Sequence, residues 1–330
     1  KLADQIGSHA MYIQWVNRVC EHVKSLGKRP MFWGDIIAAH PETIRELPED
    51  IICMTWDYSL APGDTNVRKL WENGAHQYLC PGVQGWNQTI HLLDIAYENI
   101  KKMASFAHQF DGEGLLTTDW GDYGHLQHPE LALVGIIYGA AFGWNSKIPE
   151  REEINADISV IEYGDRSATL IEIISEMSNQ AVMHWGELVQ FSETYRYQIA
   201  GKDMDTFWKG YLPRIETSLP HIVECNETIR NDMAKVAALL VQIEDDRREG
   251  IAPVLHMAEG QILINTILRV LDREYLGHPD AYTGDTKALA EALEIWYYEY
   301  RRQWHKISRE SELYRIGELI FWLADYIREL

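Results

Sequence analysis

The chain lacks most of the signatures by which a sequence declares its chemistry. It has no G-x-G-x-x-G and no P-loop, so nothing marks a strand–helix turn built to cradle a dinucleotide or a triphosphate. It has no G-x-S-x-G and no credible Cys/His pair, which leaves nucleophilic acyl transfer unsupported. Only four cysteines occur in 330 residues: Cys20, Cys53, Cys80 and Cys225, neither clustered nor in CxxC spacing. They read as free thiols in a reducing, cytoplasmic compartment rather than as a disulfide frame or a zinc site. No apolar run approaches the roughly 18 residues that a spanning helix needs, and no signal pattern opens the chain. Basic charge is also scarce. Thirty Lys and Arg against 50 Asp and Glu give a net charge of −20, which argues against nucleic acid and anionic membrane surfaces as partners.

Aromatic residues are plentiful: 12 Trp, 17 Tyr and 7 Phe. Three of the tryptophans close strand-like runs: Trp33 in Pro30-Met-Phe-Trp-Gly-Asp35, Trp56 in Ile51-Ile-Cys-Met-Thr-Trp-Asp57, and Trp120 in Gly114-Leu-Leu-Thr-Thr-Asp-Trp-Gly-Asp122. An acid follows each within two residues. A lone tryptophan at a strand end is usually packing. Three with the same acidic neighbour suggest one site built from the ends of parallel strands. Indole faces stack on the apolar faces of sugar rings and carboxylates accept hydrogen bonds from hydroxyls, so the pattern points to a carbohydrate.

The densest polar segment is Thr117-Thr-Asp-Trp-Gly-Asp-Tyr-Gly-His125. Gly121 and Gly124 permit a tight turn or the close approach of a ligand, and Asp119, Asp122, Tyr123 and His125 supply polar groups. Asp and His can ligate a cation, but no second cluster has ligand spacing, so no metal or cofactor is expected. The plain alternative is a turn in which an Asp caps the next helix. The loop Cys80-Pro-Gly-Val-Gln-Gly-Trp-Asn-Gln88 is the second candidate, with Trp86, Asn87 and Gln88; its plain alternative is an ordinary Gly/Pro loop. His22, His40, His91, His184 and His256 read as helix-face or loop residues and receive no role.

Periodicity organises the chain into two parts. In 1–148, Met11, Trp15, Val19 and Val23 recur at helical spacing. Strands are expected up to Trp33, over 51–56, 77–80 and 114–118, with helices over 41–47, 66–73, 92–110 and 131–142. Short apolar strands separated by helices imply a parallel sheet buried on both faces, in a doubly wound sheet or part of a (β/α)₈ barrel. Residues 149–330 change character. Of 23 glycines, 14 fall within 1–150 and 9 in the longer remainder. Long helical patterns over 168–191, 204–238, 254–276 and 286–330, each broken about once, predict an all-helical domain.

The segments Met31-Phe-Trp-Gly-Asp-Ile36, Thr55-Trp56, Cys80-Pro-Gly82 with Trp86-Asn87, and Leu116-Thr-Thr-Asp-Trp-Gly-Asp-Tyr-Gly-His125 resemble the C-terminal half of the catalytic domain of family 20 glycoside hydrolases, the exo-β-N-acetylhexosaminidases. The resemblance covers about residues 9–145, and the helical part more loosely. It implies an α/β fold, strands five to eight of a (β/α)₈ barrel followed by an all-α domain. It makes Trp33, Trp56 and Trp120 the indoles that wall the pocket for the N-acetyl group and sugar ring, and Asp122 a carboxylate that binds ring hydroxyls. Asp35, Asn87 and Tyr123 join them as substrate-binding candidates. Trp86 falls near a position where many members carry a tyrosine that hydrogen-bonds the acetamido carbonyl; an indole N–H can donate such a bond but accept none.

The family's mechanism is retaining and substrate-assisted: the acetamido oxygen attacks the anomeric carbon, an Asp orients it, and an adjacent Glu is general acid and base. That Asp-Glu pair belongs to the fourth strand, and no residue here matches it. The expectation is therefore a fragment of a hexosaminidase acting on terminal β-linked GlcNAc or GalNAc of oligosaccharides. Its partner would be the missing N-terminal half of the barrel, or a second copy of the chain. The alternatives are a non-catalytic carbohydrate-binding protein on the same fold and a helical interaction module.

Overall fold

The computed structural model describes residues 3–145, 147–197, 203–243 and 245–330. They form two compact units: Lys1–Val83, Asp94–Thr118 and Gly135–Ile148 in the first, and Gln84–Leu93, Asp119–Val134 and Pro149–Leu330 in the second. The division is not a single cut near 148, because the loops 84–93 and 119–134 belong with the helical unit.

The first unit is α/β. Four strands, β1 (Met31–Trp33), β2 (Ile52–Trp56), β3 (His76–Cys80) and β4 (Gly114–Leu115), pair in parallel in the order β1-β2-β3-β4. Helical segments separate them: Asp35–Ala39 with the 3₁₀ turn Pro41–Glu46, then Thr65–Glu72, then Leu93–Gln109. Ala132–Trp144 follows β4. The short helix Asp35–Ala39 was not anticipated. The expected strand over 114–118 narrows to a two-residue ladder, although the amides of Leu116 and Thr118 still donate to the carbonyls of Leu79 and Pro81 at 2.9 Å each. A Cβ at residue 114 would lie 2.8 Å from the Tyr78 ring, so any larger residue there would have to displace that ring.

Side chains alternate between faces along each strand, and residues in register share a face. Phe32, Cys53, Leu79 and Leu115 lie on one face and join two apolar clusters. In the first, Cys53 and Phe32 pack with Ile13, Val16, Ile37 and Leu70. In the second, Leu79 and Leu115 pack with Val67, Met103, Phe106 and Phe110. Each such side chain, fully buried, contributes about 1.5–3 kcal/mol. Two polar residues share this face and satisfy one another: Thr55 donates to Gln77 at 2.8 Å, and Gln77 donates to the Val67 carbonyl at 3.0 Å.

The other face is unusual. Trp33, Met54 and Tyr78 are in register and only half-buried, Met31 is exposed, and Trp56, two residues beyond Met54, is 42% exposed. A parallel sheet normally has both faces covered.

The helical spacing of Met11, Trp15, Val19 and Val23 marks the first long helix, Ser8–Ser25, but Met11, Trp15 and Val19 are exposed, Trp15 by 60%. The inward face is Ile13, Val16 and Cys20, packed on Ile37, Ile44 and Cys53. The helix carries two apolar stripes, and periodicity alone does not say which one meets the sheet.

The second unit is helical beyond residue 149, as expected. Its main helices are Arg151–Ile161, Leu170–Ser178, Trp185–Tyr197, Met204–Ile215, Ile222–Leu240, Asp245–Leu271, Thr286–Ile307 and Leu313–Arg328. The first of these was not read from the sequence. A π-helical turn, Asp272–Leu276, extends the sixth. No unbroken apolar run is long, yet by length and mean hydropathy Arg247–Leu276 could cross a membrane, and 67% of its apolar window is buried. Gln261 and Asn265 on this helix are buried and paired: Gln261 donates to Asn265 at 3.0 Å, and Asn265 to Asn226 at 3.0 Å. Such a helix is the core of its unit.

Candidate functional site

The predicted residues fall into two sets. Trp33, Asp35 and Trp56 belong to the first unit; Trp86, Asn87, Trp120, Asp122 and Tyr123 belong to the second.

In the first unit, Trp33 and Trp56 occupy the C-terminal ends of neighbouring strands on the less covered sheet face. The Gly34 amide donates to the Met54 carbonyl at 2.9 Å, which holds the end of β1 against β2. A Cβ at Gly34 would already be 3.4 Å from that oxygen. The chain then turns at once into Asp35–Ala39, with Asp35 exposed in the first turn, where the free amides favour an anion. Trp56 stacks on Tyr58 with centroids 5.1 Å apart and planes 20° from parallel, a flat aromatic platform. The acid after it is committed locally: Asp57 Oδ1 accepts from the Ser59 amide at 2.9 Å and the Ser59 hydroxyl at 2.7 Å.

Asn99, which the sequence reading did not single out, sets this end of the sheet. Its side-chain amide donates to the carbonyls of Asp57 and Ser59 at 2.8 Å each, and its oxygen accepts from the Gly82 amide at 3.1 Å. One buried residue thus ties the loop after β2 to the loop after β3.

In the second unit, Trp120, Asp122 and Tyr123 are exposed. The backbone supports this display with three consecutive positive φ values: Tyr123 at 51°, Gly124 at 99° and His125 at 56°. For Tyr123 and His125 that region is disfavoured, so outside bonds must hold it. Gln127 donates to the Trp120 carbonyl at 2.6 Å, Trp185 Nε1 to the Tyr123 carbonyl at 2.9 Å, and the Tyr300 hydroxyl to the Leu126 carbonyl at 2.9 Å. All three donors are buried. Asp122 opens a single irregular turn, Asp122–His125, not a regular helix.

Trp86 and Asn87 are half-buried in the loop 84–93, and Asn87 has φ 62°. The Asn87 carbonyl accepts from the Trp185 amide at 3.0 Å, and its side chain lies so close over Gly186 that a Cβ there would be 3.0 Å from Asn87 Cγ. Thr89 donates to Gln261 at 2.7 Å, which joins this loop to the buried amide network.

Several buried polar atoms in and around these loops are poorly satisfied. His91 is 1% exposed, and neither ring nitrogen finds a hydrogen-bond partner among the described residues; its Nε2 stands 3.8 Å from Asp119 Oδ1. Burial holds the His91 pKa below its ordinary value, an effect that Asp119 only partly opposes. Burial, with help from the charges of His91 and Lys306, pushes His128 down to about 4. The side-chain oxygens of Asn87, Gln88 and Gln127 and Nδ1 of His184 are likewise buried without partners among the described residues.

These histidines are therefore neutral at pH 7. Among the described residues no group of three or more His, Cys, Asp or Glu is arranged to hold a metal ion. All four cysteines are free, and burial pushes Cys53 and Cys80 up to about 12, which makes them unreactive as thiolates.

Trp185, Tyr300, Gln261 and Asn99 escaped the sequence reading because each acts across a long stretch of chain, where no local spacing betrays it; Gln127 reaches back only seven residues, within its own loop. No family model matches the chain, and no curated protein matches it.

Proposed function

We propose that this chain binds carbohydrate, and that it is part of an exo-β-N-acetylhexosaminidase in which its sheet supplies four strands of a (β/α)₈ barrel. The observation that carries the reading is the less covered sheet face. Trp33 and Trp56 stand there at the C-terminal ends of adjacent parallel strands, the end where barrel enzymes gather their functional groups. In a closed barrel this face would be interior. Two further observations support closure by additional βα units. Among the described residues β1 and β4 have no outer strand partner, and the Met11, Trp15 and Val19 stripe lies exposed on the helix that precedes β1.

In this reading the indoles of Trp33 and Trp56 stack on the sugar, and Asp35 accepts from its hydroxyls. Proton transfer at the glycosidic oxygen falls to an Asp-Glu pair that no residue here matches. The chain therefore binds a terminal N-acetylhexosamine without cleaving it. A non-catalytic carbohydrate-binding protein is the second reading, favoured by the same lack of an acid/base.

The test is isothermal titration of the 330-residue chain with methyl β-N-acetylglucosaminide, with a chromogenic β-N-acetylglucosaminide assayed in parallel. Binding that Trp56→Ala weakens at least tenfold, with no turnover, is expected. No binding, or binding indifferent to Trp56→Ala, overturns the site. Turnover by this chain alone overturns the assignment of the acid/base elsewhere.

A further inference from the structure

The helical unit carries a groove of 410 Å³ whose lining comes wholly from within that unit. Ligand pockets run to about 300–1,000 Å³, so it has room for a small metabolite. Part of its wall is apolar: Leu219 and Pro220 from the 3₁₀ turn Leu219–His221, and Val223, 43% exposed, at the start of Ile222–Leu240. Its polar lining is Arg269, Asp272, His278 and Asp280.

These polar residues gather where the long helix Asp245–Leu271 gives way to the π-helical turn Asp272–Leu276. Such turns recur at functional sites. Gly277, at φ 82°, ends the turn in the left-handed region. His278 then returns onto Asp272, with 2.7 Å between Nδ1 and Oδ1. Asp272 is 6% exposed, whereas the His278 side chain is 64% exposed. An ionised carboxylate can only accept, so Nδ1 carries the hydrogen, and Nε2 of the neutral ring is left as an acceptor.

Two opposite charges in this groove have no ionic partner among the described residues. Arg269 lies 5.8 Å from the Tyr282 ring centroid, but no carboxylate pairs with its guanidinium. The neighbouring Arg273, by contrast, is tied to Glu274 at 2.6 Å. Asp280 is exposed and pairs with no cation, Arg269 included. A simple anion would suit Arg269 and be repelled by Asp280, and a simple cation would meet the reverse. A ligand that carries both charges on an apolar body satisfies both residues and covers the wall.

We infer that this groove binds a free apolar amino acid, of the leucine or phenylalanine class. Its carboxylate takes the Arg269 guanidinium, whose fork matches two carboxylate oxygens. Its ammonium donates to Asp280 and to Nε2 of His278, and its side chain lies on Leu219, Pro220 and Val223. Asp272 is a positioning residue that fixes the imidazole tautomer. The site lies within one unit and is independent of the proposed carbohydrate function.

The experiment titrates the full 330-residue chain calorimetrically with L-leucine and L-phenylalanine, and with 4-methylpentanoate and 3-methylbutylamine, the leucine analogues that each lack one charge. Leucine should bind about tenfold tighter than either analogue, because each leaves one charged group of the groove unanswered. Asp280→Asn should erase the advantage over 4-methylpentanoate, and Arg269→Gln the advantage over 3-methylbutylamine. Melting temperatures check that both variants fold; Asp280 is exposed, so its variant keeps the test valid if Arg269→Gln does not fold. The inference is overturned if neither amino acid binds, if either analogue binds as tightly as leucine, or if Asp280→Asn leaves leucine affinity unchanged.

Discussion

The indole N–H of Trp185 donates a 2.9 Å hydrogen bond to the main-chain carbonyl of Tyr123. The donor lies on a helix of the bundle, and the acceptor lies 62 positions earlier, in a loop whose backbone enters the left-handed region. A fully buried side chain thus fixes the conformation of an exposed one.

Trp185→Phe keeps an aromatic ring but deletes this donor. The lost bond and the partial cavity should together cost about 2 kcal/mol. Amide exchange over 120–127 should accelerate beyond the global loss. Loop amides that exchange only as fast as the global change requires would show that this bond does not hold the loop.

Asn99→Leu fills similar space but leaves two carbonyls and one amide unpaired in a buried position. At about 1–3 kcal/mol for each unsatisfied group, urea denaturation should register a loss of about 3 kcal/mol or more. A loss below about 1 kcal/mol would mean that water replaces the side chain.

Gly260→Ala sets two effects against each other. Alanine is favoured over glycine inside a helix by about 1 kcal/mol. A Cβ at Gly260, however, would sit 2.8 Å from the Trp296 indole, and that indole is buried and bonded to the His256 carbonyl at 2.9 Å. Overpacking costs about 1–3 kcal/mol and should win, so the melting temperature should fall. A rise would mean that the indole has room to retreat.

Stability should also depend on pH with a defined sign. Burial lowers His128 and His256 to about 4 in the folded chain from an ordinary value of 6.5. The unfolded chain therefore binds protons that the folded chain refuses, and stability falls as pH drops from 6.5 towards 4. The urea midpoint should decline across that window, and His256→Gln should flatten the decline. A midpoint that stays level from pH 6.5 to 4 would show that these rings protonate in place.

Much of the α/β unit could be read from the sequence because its determinants are local. Three of the four strands start and end within one residue of expectation, and Gly74, at φ 83°, lies just past the helix Thr65–Glu72, which was expected over 66–73. What the sequence left open has a common cause. The helix Ser8–Ser25 carries apolar residues on both sides, and only the sheet decides that Ile13 and Val16 turn inward while Trp15 stays out. The Trp-then-acid pattern located exposed indoles at Trp56 and Trp120, yet gave no hint of the residues that aim the loops. Asn99 acts across 40 and 42 residues and Tyr300 across 174. Such partners leave no periodic trace.

The half-covered sheet face and the Trp15 stripe have a thermodynamic consequence. A surface that gains by being covered couples folding to mass action. Anything that covers it in the native state alone adds RT ln(1 + [L]/Kd) to stability, about 2.7 kcal/mol at a hundredfold excess over Kd. Under the proposed reading, the melting temperature should climb with the concentration of a partner that covers this face; a melting temperature independent of concentration would count against such a partner.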